Sequence, residues 1–447
     1  MTNNLTADAS PEKRLFISLL TRDISLVAAF LDLIDNSINS ALAPFADKLT
    51  TAESYFSALD DPEISASTSI DIEFSAESVK IADNATGIDS ETARSHAFKF
   101  GRAAPDSHAS LDRLSVYGIG LKRAIFKMGD QISIVSDHEQ GGFALDLDVP
   151  AWAALQQGVW SFPITERPNA DADTTGTVIE ITHLHEDVAT RLDDGMFEGH
   201  LIKTIGRTYH YFLDKFVTIS VNGESVAPDS VQVSENRTIE AVTIANATCA
   251  IVAGLGPTDS NGHFRDATSG WFVLCNGRTV VSADKSSLTG WGSYGLPIHQ
   301  PKHRPFLGIV MFVSEDPESL PWNTTKASVN EDSIAWQRAR REMVSTAKAI
   351  VNFLDRRYTE SGTEVESSEL NEARGGSVNP LASSLAKPRK FKPPAPKKDP
   401  TIRIQYDAKR ADVTRISKHL RRPGMSGSEV GRHTLDFFLR NEVGDEE

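Results

Sequence analysis

Two cysteines in 447 residues, Cys249 and Cys275, make neither a disulfide framework nor a four-thiolate zinc site, so each reads as a small core residue. No apolar run approaches the ~18 residues of a membrane span, and the polar N-terminal stretch holds no signal-peptide core. Positive charge is short as well. Lys and Arg number 46 against 61 Asp and Glu, and the net charge of -15 argues against a coat of nucleic acid around the whole chain. A cytoplasmic protein without membrane contact is the expectation. What is present is an ordinary globular composition, 40% hydrophobic and 24% charged, in a chain long enough for two or three domains.

The segment 23–43 has the apolar period of one amphipathic helix. Val27, Phe30, Leu31, Ile34, Ile38 and Ala41 share a side, while Asp32, Asp35, Asn36 and Asn39 gather opposite, with Asp23 as the expected N-cap. Residues 67–74 and 79–82 alternate as a hairpin that ends in the turn-rich run Asp83-Asn84-Ala85-Thr86-Gly87-Ile88-Asp89. Residues 91–100 have a helical pattern. A long polar loop over 101–115 then runs into Tyr117-Gly118-Ile119-Gly120-Leu121-Lys122, a glycine pair opening a helix. Strands are predicted at 132–135, 143–149, 160–164 and 177–181, the last introduced by Thr175-Gly176. A mostly antiparallel sheet with helices on one face, a two-layer α/β arrangement, accommodates these elements.

From about residue 200 a second alternation begins, with strands predicted at 217–221, 238–244, 250–255, 270–275 and 308–313 and a long helix over 334–354. Residues 359–400 are rich in Ser, Glu, Gly, Pro and Lys and read as a flexible linker. A small module follows, with a strand at 402–406 and helices near 411–420 and 428–439. The expected division is therefore 12–195, 196–358, a linker over 359–400, and 401–442.

A carboxylate at the end of a buried strand, with Gly87 behind it, suits a flat hydrogen-bonding ligand. The turn at Gly118 and Gly120 presents uncapped helix amides that suit phosphate, and Lys122 adds a cation. Each feature alone also fits a plain structural turn. Taken in order, Asp32-Leu33-Ile34-Asp35-Asn36-Ser37, Asp83 to Ile88, Tyr117 to Lys122 and Thr175-Gly176-Thr177 resemble the four motifs of the GHKL ATPases, over roughly residues 12–185. That superfamily includes gyrase B, MutL, heat-shock-90-type chaperones, MORC proteins and histidine kinases.

The resemblance implies the Bergerat-type α/β sandwich and an ATP site. In it Asn36 would hold Mg²⁺, Asp83 would accept the adenine amino group, and Gly87 and Ile88 would close on the base. Gly118, Ile119, Gly120 and Leu121 would wrap the phosphates beside Tyr117, Lys122 would help neutralise them, and Thr177 would reach the adenine side. The 101–117 loop becomes the lid over ATP, with Arg102 and Arg113 facing either phosphate or water. Asp32 stands where the family has a water-activating glutamate, and Ala85 replaces the first glycine of the adenine loop. The first departure implies slow hydrolysis and the second tests how closely the adenine turn fits.

Residues 271–278 and 321–326 resemble the transducer domain of MutL, gyrase B and MORC-type proteins, where a lysine reaches the γ-phosphate. Lys326 is that lysine, or else a solvated one. The implied function is a Mg²⁺-dependent ATP-hydrolysing switch of the MutL and MORC kind, closing as a homodimer on ATP. The alternative is an ATP-holding scaffold or chaperone-like protein with little turnover. The basic segment 387–422 serves either as a solubilising linker or as a salt-sensitive grip on nucleic acid.

Overall fold

A computed structural model describes residues 12–101, 113–115, 118–155, 160–229, 231–244, 246–361, 368–374, 378–380, 389–394 and 404–443. The chain divides into two units, Met1–Pro394 and Ala395–Glu447.

In the first unit, helices α1 (Lys13–Thr21) and α2 (Leu26–Leu42) precede a short helix α3 (Ala52–Ala58) and the hairpin β1 (Thr68–Phe74) and β2 (Ser78–Asp83). A single turn α4 (Ser90–Thr92) continues as a π-helical turn over Ala93–Ala97, and α5 (Gly120–Met128) leads into β3 (Gly129–Asp137) and β4 (Phe143–Asp148). Next come α6 (Val149–Ala154), β5 (Thr165–Glu166), β6 (Gly176–Leu184), α7 (Glu186–Leu192), α8 (Phe197–Thr208), β7 (Val217–Val221) and β8 (Glu224–Ser225). These strands form one sheet in the order β5-β4-β3-β6-β2-β1-β7-β8, antiparallel throughout except for the parallel β1–β7 pair. Inward positions alternate as period two demands: Ile70 and Ile72, Val79 and Ile81, Ile132 and Ile134 are all buried. The two-layer Bergerat-type sandwich is thus present.

Helix α2 lies at the centre of this layer, against α5 and β1. Its cap is Ser25 rather than Asp23: the Ser25 hydroxyl accepts the Ala28 amide at 3.1 Å, two residues later than expected. Phe30, Ile34 and Ile38 are fully buried, and each stabilises the fold by about 1.5–3 kcal/mol relative to exposure. The polar face is buried too, with Asp32, Asp35 and Asn39 inside the protein. Residues Leu26–Phe45 are in fact long and apolar enough for a membrane span, contrary to the expectation from sequence. Here that helix is mostly buried and carries two ion-paired carboxylates, as a core helix does.

After β9 (Gln232–Ser234), a second sheet follows the order β10 (Thr238–Ile244), β11 (Ala247–Leu255), β14 (Phe306–Val313), β12 (Gly270–Cys275), β13 (Arg278–Asp284). Every residue of β12 and β14 is buried, the pattern of strands covered on both faces. Helix α9 (Ile334–Ser361) lies against β10, β11 and β14, and α3 against β11 and β14. Gly308 is required on β14 because a Cβ there would stand 2.3 Å from the Trp271 ring of the neighbouring strand.

Three expectations are corrected. The strand at 217–221 belongs to the first sheet, so that layer extends past residue 195. Residues 160–164 form no strand: Trp160 and Phe162 insert into an aromatic cluster with Trp152 and Phe126, and only Thr165–Glu166 pairs. The described parts of the linker are built into the unit. Helix α10 (Ser368–Arg374) buries Leu370 and Ala373, Val378–Pro380 pairs with β9, and Arg389 bridges Ile239 on β10. Phe391 is buried 5.7 Å from Phe353, so a few apolar anchors suffice to fix a polar segment. Residues 359–361, 368–374, 378–380 and 389–394 apart, the linker lies outside the described residues.

In the second unit residues 404–409 form neither helix nor strand, where a strand was expected over 402–406 (402–403 lie outside the described residues), and helices α11 (Arg410–His419) and α12 (Gly427–Phe438) follow. Truncating Phe391 to alanine should lower the stability of the chain by about 3 kcal/mol, read by urea denaturation. An unchanged unfolding midpoint would mean that residues 389–394 are not anchored.

Candidate functional site

Asp83 ends β2, and its carboxylate is held from three sides. Ser37 of α2 donates to Oδ2 at 2.6 Å, the Ala85 amide donates to Oδ1 at 3.1 Å, and the Thr177 amide on the paired strand β6 donates as well. Burial pushes its pKa up, and these three donors pull it only part of the way back. The turn beyond is set by Gly87, at φ +69°, where a Cβ would meet the Asp137 carbonyl at 2.0 Å. No other residue fits so close to β3. Ala85 keeps a negative φ and is buried, so its replacement of glycine leaves the turn undistorted. The Ile88 amide donates to Ser136 Oγ at 2.7 Å, and Ser136 Oγ and Thr177 Oγ1 lie 2.8 Å apart.

A cavity of about 380 Å³ opens between α2, this turn and α5. Asn36, Asp83, Gly87, Ile88, Thr177 and Leu121 line it, together with Gly118, Gly120 and Lys122. The two ends of the cavity differ. Ile134, Phe143 and Ile179 make one wall apolar around Asp83, whereas α5 starts at Gly120 with Ile119 at its N-cap and no side-chain cap. With no side-chain cap among the described residues, the start of α5 suits an anion. The Asn36 Nδ2 atom is buried and has no hydrogen-bond partner among the described residues. Tyr117, Arg102 and most of the 101–117 loop lie outside the described residues.

Several residues sit elsewhere than expected. Ile119 does not line the cavity. The Lys122 ammonium bonds the carbonyls of Ala97 at 2.9 Å and Lys99 at 2.7 Å, tying α5 to the start of the lid segment. Arg113 faces neither phosphate nor water: it is buried and donates to the carbonyls of Leu49 and Ala46. Asp32 and Lys326 do not line the cavity; Asp32 lies beside its wall, since a Cβ on Gly120 would stand 3.5 Å from Asp32 Cγ.

Lys326 is buried, not solvated. Its ammonium lies 2.7 Å from Asp35 Oδ2 and 3.9 Å from Asp32 Oδ1. Arg278 Nε donates to Asp35 Oδ1 at 2.9 Å, and the Tyr209 hydroxyl donates to the same oxygen at 2.7 Å. Arg123 binds Asp32 Oδ2 through Nε at 2.8 Å and Nη2 at 2.5 Å. Burial alone would raise the Asp35 pKa, but Arg278 and Lys326 outweigh it and hold the carboxyl below its ordinary value. Lys326 is also in the left-handed region at φ +53°, a conformation kept by the Arg278 Nη1 bond to its carbonyl at 2.7 Å.

Sequence reasoning passed over Arg123, Tyr209 and Ser136, and it gave no site role to Ser37, to Arg278 or to Asp35, which was read as solvating or bracing the first helix. A cation three residues after Gly120, on the helix facing Asp32, was the available signal for Arg123. The others are brought in by tertiary contact.

Residues 24–177 match the family described as histidine kinase-, DNA gyrase B- and HSP90-like ATPases. This stretch is similar to the GHKL-type ATPase domains, whose ligand is ATP. No curated protein matches the chain.

Asp35→Asn leaves Lys326 and Arg278 uncompensated and should destabilise the chain by about 3–5 kcal/mol. Because the Asp35 pKa is depressed, its contribution is complete above about pH 4 and is lost as pH falls through the folded-state value. The stability gap between wild type and variant in denaturant titrations should therefore close only at acid pH. A gap under about 1 kcal/mol at pH 7 would mark the pair as no stronger than a surface one.

Proposed function

We propose that the chain is a Mg²⁺-dependent ATPase of the MutL and MORC kind, in which bound ATP couples through Lys326 to the second sheet. The carrying observation is that Asn36, Asp83 and Gly120 line one cavity, backed by a buried charge cluster in which three cations face two carboxylates. Asp83 would accept the adenine amino group, with Gly87, Ile88 and Thr177 beside the ring. The uncapped amides of α5 would receive the phosphates, and the excess cation of the cluster favours an anion there.

Asn36 fits a hard cation in one respect: it lines the cavity and its Nδ2 has no hydrogen-bond partner among the described residues, so its amide could turn to offer Oδ1 as one oxygen ligand. Among the described residues no group of three His, Cys, Asp or Glu could hold the ion alone, so phosphate oxygens would complete its shell. When bound, Mg²⁺ would neutralise phosphate charge. Asp32 would orient the attacking water once Arg123 releases it, and Lys326 would leave Asp35 for the γ-phosphate. Two protomers would close on each other in that state.

The Asp32–Arg123 ion pair gives the second reading its support. If Arg123 holds Asp32 throughout, ATP is bound and barely hydrolysed, and the protein is a nucleotide-dependent scaffold. Calorimetric ATP titration and phosphate release on the same preparations separate the readings. Asp83→Asn should weaken ATP binding by about tenfold or more, the loss of a hydrogen bond to a charged group. Asp32→Asn should keep the affinity and lose turnover. A wild-type chain that binds ATP and releases no phosphate would favour the scaffold, and unaltered binding by Asp83→Asn would remove the adenine assignment.

The raised pKa of Asp83 adds a pH test. Protonation deprives the carboxyl of an acceptor, so ATP affinity should fall on acidification while the pH is still above the ordinary carboxylate value of about 4. The Asp83→Asn variant should show no such fall. A wild-type affinity flat down to pH 4 would count against Asp83 as the acceptor.

A further inference from the structure

Asp83 stands in a row that crosses four strands of the first sheet. Its register partner on β6 is Thr177, that of Thr177 on β3 is Ser136, and that of Ser136 on β4 is Phe143. Two residues along each strand the same face carries Ile81, Ile179, Ile134 and Leu145, all buried. Ser136 is fully buried as well, at an inward position where Ile132 and Ile134 precede it on β3. A hydroxyl in such a place is costly unless its hydrogen bonds are made. Asp83, Thr177 and Phe143 line the cavity; Ser136 does not.

The bonds of Ser136 are made, and they decide the direction of a hydrogen. Its Oγ accepts the Ile88 amide at 2.7 Å, which leaves its own hydrogen for one acceptor. Two are near, Thr177 Oγ1 at 2.8 Å and the Gly176 carbonyl at 3.4 Å. The first is an ordinary O–H···O distance and the second is well beyond one, so the hydrogen goes to Thr177. Thr177 Oγ1 then accepts from Ser136 and keeps its own hydrogen for the cavity, having no other hydrogen-bond partner among the described residues. Reversing it would turn that hydrogen onto Ser136 and push the Ser136 hydrogen onto the long contact with Gly176.

Two groups of opposite sense therefore stand side by side at this end of the cavity: the Asp83 carboxylate accepts and the Thr177 hydroxyl donates. A purine edge with an amino group next to a bare ring nitrogen, as in adenine, complements both. An edge with a carbonyl next to a ring N–H, as in hypoxanthine, opposes both. We infer that Ser136 is a positioning residue that sets the base preference of the cavity, holding Thr177 as a donor beside Asp83 so that an amino-bearing purine is taken over its oxo counterpart. The inference rests on the reading of the cavity as a nucleotide site.

Equilibrium titration of the wild-type chain with ATP and with inosine triphosphate, each with Mg²⁺, should show ATP bound about tenfold or more tightly. In Ser136→Ala that ratio should shrink to about threefold or less, because Thr177 is then free to turn and accept. Ser136→Cys keeps the shape with a thiol that donates weakly and should behave in the same way, which carries the test should Ser136→Ala fail to fold. In a Thr177→Val chain the hydroxyl to be oriented is gone, so adding Ser136→Ala should alter the ratio by less than about twofold. A ratio unchanged by either substitution at Ser136 would overturn the inference, as would an equal narrowing in the Thr177→Val chain, which would trace the effect to the Ile88 turn. A wild type that binds both triphosphates alike also overturns it while leaving the ATP site in place. One that binds neither removes the site and the inference together.

Discussion

The buried ion cluster on α2 is the constraint on which the arrangement depends. Asp32 and Asp35 sit almost one turn apart on a helix that is otherwise core, and each is neutralised by a residue from a different element. Arg123 comes from α5, while Arg278 comes from β13 and Lys326 from the loop before α9. Isolated in this interior, either carboxylate would be expelled or protonated, since the desolvation of a buried ion amounts to several kcal/mol. The two sheets are therefore not joined by apolar contact alone. They share charges that neither could bury by itself.

A second link runs parallel to the first. Asn276, at the tip between β12 and β13, donates to the Arg113 carbonyl at 2.8 Å and to Ser314 O at 2.9 Å, while the Leu114 amide donates to Asn39 Oδ1 on α2 at 2.9 Å. The C-terminal foot of the lid segment is thereby pinned between α2 and the second sheet. Arg113 and Lys326 thus both meet the β12–β13 tip, through Asn276 and through Arg278. The cavity side and the second sheet are thus joined at two places, each made of buried hydrogen bonds.

Much of this was legible in the chain. Alternation at 67–82 and 132–149 and the glycine pair at 118–120 located the sheet, the turn and the phosphate-facing helix, because local period and turn chemistry dominate there. Asp83 and Asn36 could be singled out because their elements place them on one wall. The failures have physical causes. Residues 160–164 alternate like a strand but are claimed by an aromatic cluster, and Val217–Val221 pairs with β1 across more than 140 residues of sequence. Phe391 shows that one buried ring can anchor a stretch whose composition reads as linker. The destination of a charge is the hardest to foresee. Lys122, Arg113 and Lys326 all looked like phosphate ligands or solvated cations, and all three are satisfied inside the protein by carbonyls or carboxylates.

The two departures from the family pattern then acquire different weights. Ala85 is harmless, because its φ is negative and its amide still reaches Asp83. Asp32 is another matter. A carboxylate one methylene shorter than glutamate is drawn back from the cavity wall, and the structure fills the resulting position with the Arg123 guanidinium, bound through two nitrogens. Such a pair is planar and fixed in geometry, so releasing Asp32 requires breaking two charge-assisted bonds in a buried setting. On the proposed reading, an anion at the uncapped end of α5 would compensate for that loss by offering Arg123 or Lys326 a competing partner. The shorter acid and its arginine are therefore a single feature: while Arg123 holds it through two nitrogens, Asp32 is committed to an ion pair rather than to the cavity.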